Sequence, residues 1–199
     1  MRYIETICIC DGHPLLLPLH IQRMQRTARE KGFALPPLPD LAHLCPSALT
    51  SGTTKCRLLY NVEGIAEIDF TPYIPREINS LRIIEAPSEL DYHLKYADRS
   101  ALQRLLDQRG EADDVLIIRD GLLTDTSYTN LILRFGEQLL TPRRPLLEGV
   151  QRQHLLQAGI VHQADLRMED LQRSDEILLI NAMLPLERAI RIQPSRAIR

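Results

Sequence analysis

The stretch Pro72-Tyr73-Ile74-Pro75-Arg76-Glu77-Ile78-Asn79 constrains the fold of this 199-residue chain more than any other. Two prolines and two charges in so short a run deny both a helix interior and a central strand. The chain therefore reads as two units, residues 1–75 and 76–199. With 44% hydrophobic and 25% charged residues, it has enough apolar material for two small cores.

Before that break, Arg2 to Cys10 alternates as a strand does, Asp11-Gly12 makes a turn, and Pro14 to Leu19 reads as the returning strand. His20 to Lys31 has helical spacing, with Gly32 as its stop. Pro36 to Ser51 reads as a helical stretch punctuated by prolines, and Lys55 to Asn61 pairs with Ile65 to Thr71 as a hairpin. This first unit is α+β.

After the break come short strands at Leu81 to Ala86, Val115 to Ile118, Leu122 to Thr124, Leu131 to Arg134 and Gln138 to Leu140, with turns at Asp120-Gly121 and Gly136. A helix over about Val150 to Gln157 and strands near Ile177 to Ile180 and Ala189 to Ile192 close the unit, which reads as mostly a strand meander. The fold class is α/β in the broad sense, α+β in detail.

A formal net charge of −2 offers no general attraction to nucleic acid or to anionic membranes, and the arginines are dispersed. No signal peptide or long apolar run is visible, so a cytoplasmic protein is expected. Cys8, Cys10, Cys45 and Cys56 lack paired spacing, and His20, His93 and His154 lack the spacing of metal ligands. Reduced thiols, structural histidines and no metal site are expected.

Lysine is scarce: 21 of the 24 basic residues are Arg, and the three Lys stand at positions 31, 55 and 95. Arg serves wherever a fixed positive charge suffices, whereas only Lys can offer a neutral amine to an aldehyde. Lys95 lies in Asp91-Tyr92-His93-Leu94-Lys95-Tyr96-Ala97-Asp98-Arg99, ahead of a helix carrying Ala101, Leu102, Leu105 and Leu106. With Asp98 as the expected N-cap, Lys95 belongs to the loop that leads into this helix.

Three further segments stand out, the first of them far more polar than a turn requires. Thr124-Asp125-Thr126-Ser127-Tyr128-Thr129-Asn130 packs a carboxylate, hydroxyls and an amide between two strands. Pro145-Leu146-Leu147-Glu148-Gly149-Val150-Gln151-Arg152 opens a helix, where free N–H groups can hold a phosphate. Asn181-Ala182-Met183 ends a strongly apolar strand.

Taken in order, Lys95-x-x-x-Arg99, Asp-Asp-Val-Leu-Ile-Ile-x-Asp-Gly, Thr-Asp-Thr-Ser-Tyr-Thr-Asn, Leu-Thr-Pro, Pro-Leu-Leu-x-Gly-Val-x-Arg and Asn-Ala-Met resemble the class IV pyridoxal-phosphate enzymes. That family holds branched-chain and D-amino acid aminotransferases and aminodeoxychorismate lyase. Ile4-Glu5-Thr6-Ile7 is similar to its Phe-Glu-Thr strand, and His20-Ile21-Gln22-Arg23-Met24 to its His-x-x-Arg-Leu helix. Alone, Arg23 beside Arg26 and Arg29 would be a solvated basic face, and Asp125 a turn-capping carboxylate. The joint order of motifs assigns them otherwise.

The resemblance implies a two-domain fold, a small α/β domain followed by a strand-rich pseudo-barrel, with pyridoxal 5′-phosphate at the domain interface and a homodimeric assembly. Lys95 matches the Schiff-base lysine, whose freed amine can take the substrate's Cα proton. Arg23 matches the arginine on the phosphate, joined by the backbone N–H groups of Val150 and Gln151. Asp125 stands where most relatives place a Glu against the pyridine nitrogen, so its reach is one methylene shorter.

Asn130, Asn181 and Ala182 match positions lining the cofactor, Arg99 matches the lyase-type arginine, and Thr6 matches the lyases' threonine near the substrate. The chain starts about where the family's Phe-Glu-Thr strand begins, so the usual N-terminal strand pair is expected to be missing. Cys8 replaces the arginine that often follows the strand motif, and Gln151 replaces a common Thr. The implied activity, on a small amino-bearing substrate, is that of a 4-amino-4-deoxychorismate lyase. An amino acid aminotransferase is the alternative, and a catalytically silent binding protein a third.

Overall fold

The computed structural model describes residues 1–198. They divide into two units, the first of Met1–Pro75 with Leu94–Asp98, the second of Arg76–His93 with the chain from Arg99 onward. Lys95 therefore belongs to the first unit, although the proline-rich break puts it among residues 76–199.

In the first unit, Tyr3, Glu5, Ile7 and Ile9 take the buried face of strand β1 (Tyr3–Cys10). β1 pairs antiparallel with β3 (Thr53–Asn61), which pairs with β4 (Gly64–Pro72) as the expected hairpin. The returning strand expected over Pro14 to Leu19 is only β2 (His13–Pro14). Helix α1 takes over at Leu17–Lys31: Leu16 turns left-handed at φ 53°, and Pro18, lacking an N–H, suits the first turn better than a strand.

Helix α1 buries His20, Arg23, Met24, Thr27 and Ala28, spaced for one face, and Gly32 closes it at φ 71°. The helical stretch expected over Pro36 to Ser51 shrinks to α2 (Leu41–Leu44), N-capped by Asp40, and one further tight turn. Prolines 36, 37, 39 and 46 leave no longer window for helical hydrogen bonds. Leu94, from the returning segment, joins the core of Tyr3, Ile7, Ile9, Met24, Cys56, Leu58 and Tyr60.

The second unit is built on β5 (Leu81–Glu85), β6 (Asp114–Arg119), β7 (Leu122–Thr126), β8 (Asn130–Phe135), β9 (Gln138–Pro142), β10 (His162–Ala164), β11 (Glu176–Ile180), β12 (Ile190–Ile192) and β13 (Ala197–Ile198). The meander from β6 to β9 is antiparallel, as expected. It is flanked by parallel pairs, β5 with β6, β13 with β5 and β10 with β9, which join segments far apart in sequence. β8 also pairs antiparallel with β11, and β11 with β12.

Among the described residues three α-helices complete it: α3 (Ser100–Leu106), α4 (Val150–Gln157) and α5 (Met168–Arg173). Asp98 is not the N-cap of α3; Arg99 holds that position and makes no side-chain cap bond. The core gathers Leu81, Leu116, Leu123, Leu131, Leu133, Ile177 and Leu179 from five strands.

Candidate functional site

Lys95 is held by its main chain. Its carbonyl accepts the Ile4 N–H at 3.0 Å, and the Ala97 N–H donates to the Arg2 carbonyl at 2.9 Å, so the segment lies antiparallel along the open side of β1. Tyr96 meets Tyr3 with ring centroids 5.7 Å apart, and Leu94 is buried. As expected, Lys95 stands outside the helix that follows. Thr6 is on β1 in register with Arg57, facing opposite Glu5.

Beside this segment the motif residues Glu5, His20 and Arg23 come together as a buried ionic cluster, a pairing that the motifs themselves do not record. Glu5, fully buried, accepts Arg23 Nε at 2.8 Å on Oε1 and Arg23 Nη2 at 2.5 Å on Oε2, a bidentate fork. His20 Nδ1 lies 2.6 Å from the same Oε2. Burial alone would raise the Glu5 pKa, but the Arg23 charge and the hydrogen bonds from His20 and Arg23 outweigh it and hold it at about 2. The carboxylate is ionised, so Nδ1 must carry the proton and donate.

Burial lowers the His20 pKa despite the pull of Glu5, and the charges of Arg23 and Lys95 lower it further. The ring is therefore neutral, and its Nε2 is buried without a hydrogen-bond partner among the described residues. Arg23 thus has one imposed orientation. An ionisable residue amid the apolar alternation Tyr3, Glu5, Ile7, Ile9 was the available signal.

In the second unit, Asp125 and Asn130 face each other across the β7–β8 turn. Asn130 Nδ2 donates to Asp125 Oδ1 at 2.8 Å and to the Leu147 carbonyl at 2.9 Å, while the Leu147 N–H donates to Asp125 Oδ2 at 2.9 Å. Burial pushes the Asp125 pKa up to about 6, against those two hydrogen bonds and the charge of Arg152. Within the turn, Thr126 and Thr129 hydroxyls meet at 2.7 Å.

Val150 and Gln151, both buried, form the first turn of α4, whose leading N–H groups have no acceptor within the helix. Gly149 precedes them. A β-carbon there would lie 1.9 Å from Asn130 Oδ1, so only glycine fits. Arg152 is buried and donates through Nη2 to the Pro142 carbonyl at 2.8 Å.

Arg99 donates to the Ser127 carbonyl at 2.6 Å. Asn181 Oδ1 accepts the N–H groups of Met183 at 2.8 Å and Leu184 at 3.1 Å, shaping the turn that contains half-buried Ala182. Lys95, Arg23 and Thr6 thus fall on neighbouring elements of the first unit. Arg99, Asp125, Asn130, Val150, Gln151, Asn181 and Ala182 fall in the second. Among the described residues no cluster of His, Cys, Asp or Glu could hold a metal, the four cysteines are unbridged, and no helix is long and apolar enough to cross a membrane.

The fold and these residues define a class before they define an activity. The chain belongs to the class IV aminotransferase family, whose model matches residues 3–192. It is 37% identical over 186 residues to a Haemophilus influenzae protein described only as uncharacterised, covering 90% of this chain and 96% of that one.

Among solved structures, a protein of Haemophilus somnus provisionally named 4-amino-4-deoxychorismate lyase is 35% identical. It superposes with a TM-score of 0.83 over 93% of this chain and 97% of its own. A hypothetical aminotransferase of Mycobacterium tuberculosis in its PLP-bound form shares the fold at 22% identity, with a TM-score of 0.80 over 99% of this chain and 81% of its own.

Proposed function

We propose that this chain is a pyridoxal 5′-phosphate-dependent lyase that releases pyruvate and p-aminobenzoate from 4-amino-4-deoxychorismate. The observation that carries the reading is Lys95, an amine held outside any helix by main-chain bonds to β1, on the strand whose Glu5 locks Arg23. The lyase assignment is supported by the name of the 35% identical Haemophilus somnus protein.

The residues present suit the group. A buried carboxylate with its pKa near 6 lacks a full counter-charge, and a protonated ring nitrogen would supply one to Asp125. Arg23 offers a guanidinium of fixed orientation, and the first turn of α4 offers the N–H groups of Val150 and Gln151, which have no acceptor within the helix, both suited to a phosphate. Bound pyridoxal 5′-phosphate supplies an electron sink for the carbanion left when the substrate's Cα loses its proton.

Everything else falls to the chain. Lys95 Nζ, once neutral, takes the Cα proton. Arg23, neutralised in part by Glu5, resists turning toward solvent and fixes the anionic end. In this reading Thr6, on the face of β1 opposite Glu5, orients the substrate, and departure of pyruvate leaves an aromatic ring, which supplies much of the driving force. The homodimer implied by the family belongs to this reading, and sedimentation of the purified protein tests it.

The deciding experiment incubates purified protein and cofactor with 4-amino-4-deoxychorismate and follows p-aminobenzoate and pyruvate. Equal release of both, abolished by Lys95→Ala, is expected. The family also contains aminotransferases, and that reading wins if an amino acid converts the cofactor to its amine form and only a 2-oxo acid restores it. A protein that stays colourless with added cofactor would leave neither.

A further inference from the structure

We propose that Asp125 and Asn130 are positioning residues that clamp the Leu147–Gly149 approach of α4 onto strands β7 and β8. The inference rests on the reading of the α4 start as the phosphate-holding end, and it changes the duty of Asn130.

The carboxamide of Asn130 has two N–H bonds, and both are spent: one on Asp125 Oδ1 at 2.8 Å, the other on the Leu147 carbonyl at 2.9 Å. Both partners are acceptors, which fixes which end of the amide carries nitrogen. Its oxygen is pressed against Gly149, where a β-carbon would lie 1.9 Å away. No N–H of the Asn130 side chain is left for a ligand.

Asp125 completes a ring by accepting the Leu147 N–H on its other oxygen at 2.9 Å. Leu147 is thus gripped at both its N–H and its carbonyl, three residues before the helix begins at Val150. Buried Leu146 and Val150 bracket the grip, and the Arg152 bond to the Pro142 carbonyl ties the far side of the loop. The carboxylate assigned to the ring nitrogen and the N–H groups assigned to the phosphate are therefore one connected unit. Each Asp125 oxygen keeps a second lone pair, so the clamp and a ring contact are compatible.

Two variants test this. Asn130→Ala deletes both donors, while Gly149→Ala keeps every hydrogen-bonding group and evicts the amide oxygen sterically. Amide hydrogen exchange is read first, in protein free of cofactor. The Leu147 amide, which donates to Asp125, should exchange on the order of 10-fold or more faster in both variants, with Val115 to Ile118 in β6 unchanged.

Affinities for pyridoxal 5′-phosphate and for pyridoxal, which lacks the phosphate, are read second. The first should fall roughly 10- to 100-fold and the second by several-fold less, since the Asp125 contact is common to both ligands and the phosphate only to the first. Unchanged exchange at Leu147 in both variants overturns the clamp, as does rapid exchange of that amide in the unaltered protein should a variant fail to fold. Equal losses for the two ligands overturn the link to the phosphate end. If the unaltered protein binds neither ligand, the proposed function fails, and the exchange data still decide the clamp.

Discussion

Glu5→Gln isolates the ionic cluster that orients Arg23. In the folded protein the Glu5 pKa is held at about 2, against an ordinary value of 4.5 for a glutamate. The pKa is depressed, so its stabilisation is present above pH 4.5 and is lost as pH falls toward 2. The gap corresponds to about 3 kcal/mol at pH 7, of which roughly 2 kcal/mol is gone by pH 3. Glu5 is fully buried, so little of this is screened by solvent.

Glutamine keeps one acceptor for Arg23 but sets an N–H₂ against the second guanidinium nitrogen, leaving a buried charge without its counter-ion. The expected cost at pH 7 is about 3–5 kcal/mol, a fall of roughly 10 °C in Tm for a chain of this size. Urea denaturation of both proteins from pH 7 to pH 3 is the assay, and their stability difference should narrow by about 2 kcal/mol across that range. A gap that stays constant with pH, or one below about 1 kcal/mol at pH 7, would refute the argument that ionised Glu5 carries the pair.

Asp125 should behave in the opposite sense. Its pKa is raised to about 6 from 3.8, so its contribution is full below pH 3.8 and lost as pH rises through 6; a pH-resolved denaturation series should lose about 3 kcal/mol of this kind, and Asp125→Asn should remove that dependence. Leu94→Ala, in the first core, should cost about 2–4 kcal/mol by chemical denaturation and loosen the Lys95 segment, read as faster exchange of the Ile4 and Ala97 amides. Borohydride reduction with cofactor present should leave its mass on the peptide containing Lys95, and Lys95→Ala should carry none.

Local signals account for what was legible in the chain. Gly32 ended α1, the α4 bounds were readable from Val150 to Gln157, and the β3–β4 hairpin followed its alternation. Where the reading failed, a local signal had two meanings. Leu15-Leu16-Leu17 looks apolar enough for a strand, yet Leu16 can take a left-handed turn and Pro18 can open a helix.

The parallel partners of β5, β9 and β13 were invisible, because parallel pairing joins segments that share no turn. For the site, motif order named Lys95, Arg23 and Asp125, but not what each leans on. Glu5 beside Arg23 and Leu147 beside Asp125 are tertiary facts, spaced 18 and 22 residues apart, which no periodicity records.

The attachment of residues 95–97 to β1 runs through carbonyl and amide groups common to nearly every amino acid. Chemistry and scaffolding at this position are consequently separable: an inert side chain can replace the amine while the ribbon beneath it keeps its course. Under the proposed function, a folded but silent Lys95 variant would then retain substrate unchanged for long enough to be crystallised with it.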